Sequence, residues 1–251
     1  MKIVAVNGSH KGRAGNTAVM VDALLKGARL AGAETAHIVL AEKEIGYCRA
    51  CKACWFATPG QCVLKDDMAE IVPLLKSADI WVWATPLYFD NISSRLKTFI
   101  DRLMVLASPR WTQDKNGECR HLTAGPPPKL ALIANCGYPE RTHFQVISHW
   151  IERHARNLGA EVVGEICASE GALLSSGAEE LRPIVADRLQ AIETAGREIA
   201  AGIAISAETC DLLARPFIPA EAYISGVDSY LDTMLKRLPP TRTESTRPRV
   251  Q

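Results

Sequence analysis

The chain has 251 residues, of which 47% are hydrophobic and 23% charged, and its formal net charge is +1. That length suits one well-buried domain with additions, and the near-neutral balance argues against nucleic acid or an anionic membrane as partner. No stretch reaches the roughly 18 uncharged apolar residues of a membrane helix, and the N-terminus lacks the basic, apolar and cleavage regions of a signal peptide, so a cytoplasmic protein is expected.

Ile3 to Val6 is a short apolar run that predicts a buried β-strand, and it breaks into Asn7-Gly-Ser-His-Lys-Gly-Arg-Ala-Gly-Asn-Thr17 before a helical pattern begins. Gly8, Gly12 and Gly15 let backbone N–H groups turn inward, Ser9, Asn16 and Thr17 offer side-chain donors, and the helix N-terminus adds partial positive charge. An anion belongs there, a phosphate monoester above all. The turn is longer than the two to six residues usual for such connections. It carries neither Gly-x-x-x-x-Gly-Lys-Ser/Thr nor Gly-x-Gly-x-x-Gly, which excludes a P-loop NTPase and a standard dinucleotide fingerprint.

Met20, Leu24, Ala28 and Ala31 repeat at helical spacing, and Gly32 suits the stop. Thr35 to Leu40 predicts the second strand. After a cysteine-rich loop, Asp67-Met-Ala-Glu70 has the form of a capping box opening a helix through Leu75. Asp79 to Thr85 is an almost unbroken apolar run, as expected of a central parallel strand. It ends in Thr85-Pro-Leu-Tyr-Phe89. Ser93 can cap the next helix, whose apolar face is Leu96, Phe99, Ile100, Leu103 and Met104. Lys97, Asp101 and Arg102 on that helix are expected to be structural or interfacial charges. Residues 107–128 read as an inserted loop, Lys129 to Asn135 as the fourth strand, Phe144 to Leu158 as a helix, and Glu161 to Ala168 as the fifth strand. A last long helix covers about Glu179 to Ala204.

Five rounds of strand and helix imply an α/β fold, a doubly wound five-stranded parallel sheet of flavodoxin-like order 2-1-3-4-5. The switch point of that order lies between the first and third strands. A ligand then belongs where the Gly8–Thr17 loop meets Thr85–Phe89, with Asn135, Cys136 and Gly137 beside them. The expected organisation is a core domain over 1–204, with a cysteine-rich loop at 45–65 and the insertion at 107–128. A C-terminal helical extension over 205–238 would pack on the core or on a partner subunit, and a Pro-, Thr- and Arg-rich tail over 239–251 is expected to be disordered.

Eight cysteines are distributed unevenly. Cys48, Cys51, Cys54 and Cys62 crowd one loop with spacings of two, two and seven residues, whereas Cys119, Cys136, Cys167 and Cys210 are scattered. Such crowding points to ligands and not to disulfide staples. Four thiolates suit a [4Fe–4S] cubane. Zinc would also accept four, usually as two Cys-x-x-Cys knuckles farther apart, and free redox-active thiols are a third reading.

The phosphate loop and the block Thr85-Pro-Leu-Tyr88 with Leu96-Lys-x-Phe-Ile-Asp-Arg102 resemble the flavodoxin-like NAD(P)H-dependent FMN reductases, with His10 and Lys11 standing where that family usually has Pro and Arg. The cysteine spacing resembles the iron–sulfur flavoprotein branch. The resemblance covers roughly Lys2 to Ala204. It implies an FMN phosphate held by Ser9, Lys11, Arg13, Gly15, Asn16 and Thr17, and a flavin ring against Pro86, Leu87, Tyr88 and Phe89 and beside Asn135, Cys136 and Gly137. It also implies a homodimer or higher oligomer, with the nicotinamide stacking on the flavin in the dimer cleft. The expected activity is an oxidoreductase passing electrons from NAD(P)H through FMN to a small acceptor, with no side-chain catalyst named. The alternatives are an iron–sulfur electron carrier with a ferredoxin-like donor, its cluster on Cys48, Cys51, Cys54 and Cys62, and a flavodoxin-like thiol redox sensor.

Overall fold

The computed structural model describes residues 1–123 and 125–237, so the expected disordered tail over 239–251 lies outside the described residues. It divides into two units, 1–217 and 218–251. The first is built on a five-stranded parallel sheet. Its strands are β1 (Lys2–Asn7), β2 (Glu34–Val39), β3 (Ile80–Pro86), β6 (Lys129–Asn135) and β7 (Val162–Ala168), in the order β2-β1-β3-β6-β7. The fourth and fifth strands in sequence expectation are β6 and β7, so the order is the flavodoxin-like one.

Period-two alternation sends neighbouring side chains of each strand to opposite faces. Val4, Val6, Trp81 and Trp83 join one core with α3 (Met68–Lys76), α4 (Ser94–Asp101) and α5 (Gln145–Leu158). Ile3, Ala5, Ile80, Val82 and Ala84 join the other, with α1 (Asn16–Leu30) and α6 (Arg182–Ala200). Both faces being covered explains why β3 and β6 are almost wholly buried and apolar. Helices α1 and α6 cross backbone to backbone. A Cβ on Gly27 would strike the Glu193 carbonyl, and one on Gly196 would strike the Leu24 carbonyl.

Two local differences from the sequence expectations have physical causes. Residues 107–128 are not merely a loop. They contain an antiparallel hairpin of β4 (Ala107–Gln113) and β5 (Cys119–Thr123). Asp114 makes its turn by accepting the N–H groups of Asn116 and Glu118, at 2.9 and 3.0 Å, while Gly117 takes a positive φ of 76°. Asp67 does not close a capping box, because its carboxylate turns back to accept the Glu44 N–H at 2.8 Å. Asp66 accepts the Met68 N–H instead. Ser93, by contrast, caps α4 as expected, accepting the Leu96 N–H at 3.2 Å.

The first unit continues beyond α6 through α7 (Ala207–Ala214) to Phe217, and the second contains α8 (Ala220–Arg237). No helix among the described residues is long and apolar enough to cross a membrane.

Candidate functional site

The carboxyl ends of β1, β3 and β6 align in register, with Asn7 opposite Ala84 and Pro86 opposite Asn135. Their loops are stitched together by short bonds. Gly8 donates to the Ala84 carbonyl at 2.8 Å, and the Ser93 hydroxyl donates to the Gly8 carbonyl at 2.7 Å. The Ser93 N–H in turn reaches Thr85 Oγ1 at 2.9 Å. The Leu87 N–H reaches the Asn135 carbonyl at 2.8 Å, and Asn135 Nδ2 donates to Thr17 Oγ1 at 2.8 Å. Phosphate loop, Pro-Leu-Tyr turn and Asn135 turn thus form one crevice.

Within it, Ser9 and Thr17 are buried, and Ser9 Oγ accepts the Lys11 N–H at 3.2 Å. Gly15 offers no side-chain cap to α1, whose first N–H groups have no intrahelical acceptor. A Cβ at Gly15 would come within 2.7 Å of Ser9 Oγ, so the loop can close this tightly only around glycine. Asn16 Oδ1 and Asn7 Nδ2 are buried without a hydrogen-bond partner among the described residues. Unmet donors and acceptors around a helix N-terminus fit a phosphate ester with hydroxyls attached. The two basic residues of the loop differ. Arg13 is clamped by Glu42 through two bonds of 2.8 and 3.1 Å, while Lys11 is exposed.

The rim is aromatic. Tyr88 is half exposed, and Phe89 is fully exposed on a left-handed backbone with φ 51°. Asn135 and Cys136 are buried at the opposite lip, and Gly137 is exposed. Burial pushes the Cys136 thiol up, which keeps it protonated and fits a packing role. Glu170, wholly buried after β7, braces this lip: its N–H holds the Tyr138 carbonyl at 2.8 Å and its Oε2 accepts the Phe217 N–H at 2.6 Å.

Two contacts had no counterpart in the sequence reading. His143 meets Asp90 Oδ1 at 2.7 Å and stacks on Tyr138 with centroids 4.1 Å apart, bridging the two lips. Nothing in local periodicity relates Asp90 to His143. Arg102, expected beside Lys97 and Asp101 as a structural or interfacial charge, is 2% exposed. It pairs with Asp66 at 2.5 and 3.0 Å, and its Nη2 lies 3.4 Å from Cys62 Sγ. The signal was present, since Arg102 follows Phe99 by three residues and continues the apolar stripe of α4 just past its end, where an unpaired cation could not stay. Lys97 and Asp101 do form the ordinary surface pair, at 2.6 Å.

Arg102 closes a cavity of about 80 Å³ whose wall includes Cys48, Cys51, Cys54 and Cys62. Ala50 and Lys52 hold left-handed φ values of 49° and 56° between these cysteines, a strain typical of ligand loops. The one-turn helix α2 (Ala53–Phe56) carries Cys54, and Trp55 Nε1 pins it to the Met104 carbonyl at 3.0 Å. Burial raises the Cys54 thiol, and the neighbouring thiols Cys62, Cys48 and Cys51 push it further. A positively charged metal core would relieve that crowding, so this donor set fits a cluster. Among the described residues no group of three His, Cys, Asp or Glu side chains is placed to hold a metal ion.

A sequence model of the NADPH-dependent FMN reductases matches residues 1–126. An iron-sulfur flavoprotein from Methanosarcina thermophila is 32% identical over 166 residues, covering 66% of this chain and 78% of that protein. The chain belongs to the NADPH-dependent FMN reductase family. An iron-sulfur flavoprotein of Archaeoglobus fulgidus is 38% identical over 104 residues, covering 41% of this chain and 46% of that one. The chain spans about half the length of most curated members it matches. Among solved structures, an FMN-dependent NADH-azoreductase from Bacillus anthracis in complex with FMN has a TM-score of 0.58 at 18% identity, covering 79% of this chain and 99% of that one. An NAD(P)H:quinone oxidoreductase from Methanothermobacter marburgensis has a TM-score of 0.52 at 16% identity, covering 79% and 94%. These likenesses show the fold.

Proposed function

We propose that the chain is an FMN-dependent oxidoreductase that takes a hydride from NAD(P)H and passes electrons to a small acceptor such as a quinone or free flavin. The observation that carries this reading is the crevice at the switch point, where three loops are bonded to one another around unmet polar groups. Bound FMN supplies the hydride and electron chemistry. The protein's part is to hold and orient. Ser9, Gly15, Asn16 and Thr17 with the α1 N-terminus take the phosphate, and Lys11 is the available cation, Arg13 being held by Glu42. Pro86 to Phe89 support the flat ring, and Asn135, Cys136 and Gly137 face its polar edge. A homodimer in the cytoplasm completes the reading.

A second reading keeps the flavin and adds a [4Fe–4S] cluster on Cys48, Cys51, Cys54 and Cys62, making an electron carrier served by a ferredoxin-like donor. The shared cavity of these four cysteines and the iron-sulfur flavoproteins among its relatives favour it. Both are tested by an absorption spectrum of anaerobically purified protein, with iron and acid-labile sulfide assayed on the same sample, followed by addition of NADPH. Flavin bands that bleach with NADPH are expected. About four irons per chain would establish the cluster, flavin that stays yellow would favour the carrier, and a colourless protein that takes up no FMN would overturn both readings.

A further inference from the structure

A second pocket lies outside the flavin crevice, on the α4 side of the phosphate loop. It measures about 260 Å³ and lies between His10, the segment after β2 and the first turns of α4. Its wall carries the cations Lys43 and Arg95, the imidazole of His10 and the hydroxyls of Tyr47, Ser94 and Thr98, over a floor of Leu40 and Ile45. None of the residues lining it is acidic. Arg95 is fixed by donating from Nη1 to the Leu40 carbonyl at 3.2 Å. Lys43 Nζ lies 3.9 Å from Glu70 Oε2, whose side chain is 79% exposed, so Lys43 is weakly engaged. His10 joins the pocket to the flavin crevice. Its Nε2 meets Ser94 Oγ at 3.1 Å, and its ring stands edge-on to Tyr88 with centroids 5.7 Å apart.

Two cations, several neutral donors and no carboxylate form a wall for a doubly charged oxyanion. At this volume the pocket takes one end of a larger ligand, since whole-ligand sites run from roughly 300 Å³ upward. Tyr47, 81% exposed at the mouth, offers a flat face for an aromatic base.

We propose that this pocket is the subsite for the ribose 2′-phosphate end of the hydride donor, so that Lys43 and Arg95 select NADPH over NADH. The inference rests on the reading that a nicotinamide reduces the flavin. Its ligand can be measured without turnover, which separates failure of the subsite from failure of that reading.

The test is calorimetric titration of the FMN-loaded full chain with 2′-AMP, 5′-AMP and inorganic phosphate, alongside kcat/KM for NADPH and NADH. Binding of 2′-AMP in preference to the other two is expected, with Lys43→Ala weakening it roughly tenfold, as loss of one charge-assisted contact should. The NADPH-to-NADH preference should fall by a similar factor and reverse in Lys43→Glu, while flavin content measured by absorbance stays the same. Equal binding of 2′-AMP and 5′-AMP would overturn the assignment. So would inorganic phosphate binding as tightly as 2′-AMP, or 2′-AMP binding only to the FMN-free protein, which would make the pocket part of the flavin site.

Discussion

Burial alone sets the titration of His154 on α5, pushing its pKa from 6.5 down to about 4. Its ring stacks on Trp150 with centroids 5.3 Å apart, and its Nε2 is buried without a hydrogen-bond partner among the described residues. No carboxylate offsets the cost of charging it there. Above pH 6.5 the ring is neutral in both folded and unfolded states, and its full contribution is present. As pH falls from 6.5 towards 4 the unfolded chain binds a proton that the folded one refuses, so stability drops by about 3 kcal/mol. Urea denaturation at steps between pH 7 and pH 4.5 should record that fall, and His154→Leu should flatten it. Burial also lowers His37, against the opposing pull of Asp22. The difference between wild type and variant therefore isolates His154, and parallel pH profiles would refute the assignment. His154 was invisible in the sequence as a titrating group, because only packing distinguishes it from an exposed neighbour such as His149.

At the scale of elements, the strands of the parallel sheet were legible, whereas the hairpin and the contacts that hold the cysteine loop were not. β3 and β6 are covered on both faces, so their apolar runs announce them. The hairpin of β4 and β5 is solvated and polar, and its only local signal is Asp114-Lys-Asn-Gly117 between two short alternating stretches. The Gly8–Thr17, Thr85–Phe89 and Asn135 turns could be placed side by side because the carboxyl ends of adjacent parallel strands must meet. The loop over 45–65 follows no period, and what holds it is distant in sequence. Arg102 Nη1 donates to the Gly46 carbonyl at 2.7 Å as well as to Asp66, tying both ends of the cysteine loop to the end of α4. Burial works against both charges, yet their mutual hydrogen bonds and attraction leave the Asp66 carboxyl lowered and the Arg102 guanidinium raised. Arg102→Ala would strand the half-buried Asp66 carboxylate beside the hole left by a buried guanidinium and should cost about 3 kcal/mol. Adding Asp66→Asn removes that stranded charge, so the double variant should be more stable than Arg102→Ala alone. Denaturation of the four proteins in the cycle measures the coupling, and strictly additive losses would mean that the pair does not anchor the loop.

For the whole molecule, the decisive surface is on the second unit. Ile224, Leu231 and Leu235 of α8 recur at intervals of seven and four residues on one helical face, with Tyr230 and Met234 beside them, and all five are exposed. Leaving such a stripe in water forfeits the burial that an amphipathic helix is built to gain, so it calls for a covering surface. A second copy of the chain supplies one directly, because a twofold axis sets the same stripe against itself and closes the contact without leaving a free face. The full chain should therefore run as a dimer in light scattering at micromolar concentration, and Leu231→Asp with Leu235→Asp should run as a monomer. The phosphate loop, the Pro-Leu-Tyr turn and the Asn135 lip all lie in the first unit of one chain, so that monomer should retain its FMN. If it keeps the flavin but is reduced more slowly by NADPH, the partner subunit helps to seat the nicotinamide. A wild-type chain that is monomeric at that concentration would refute self-association through α8.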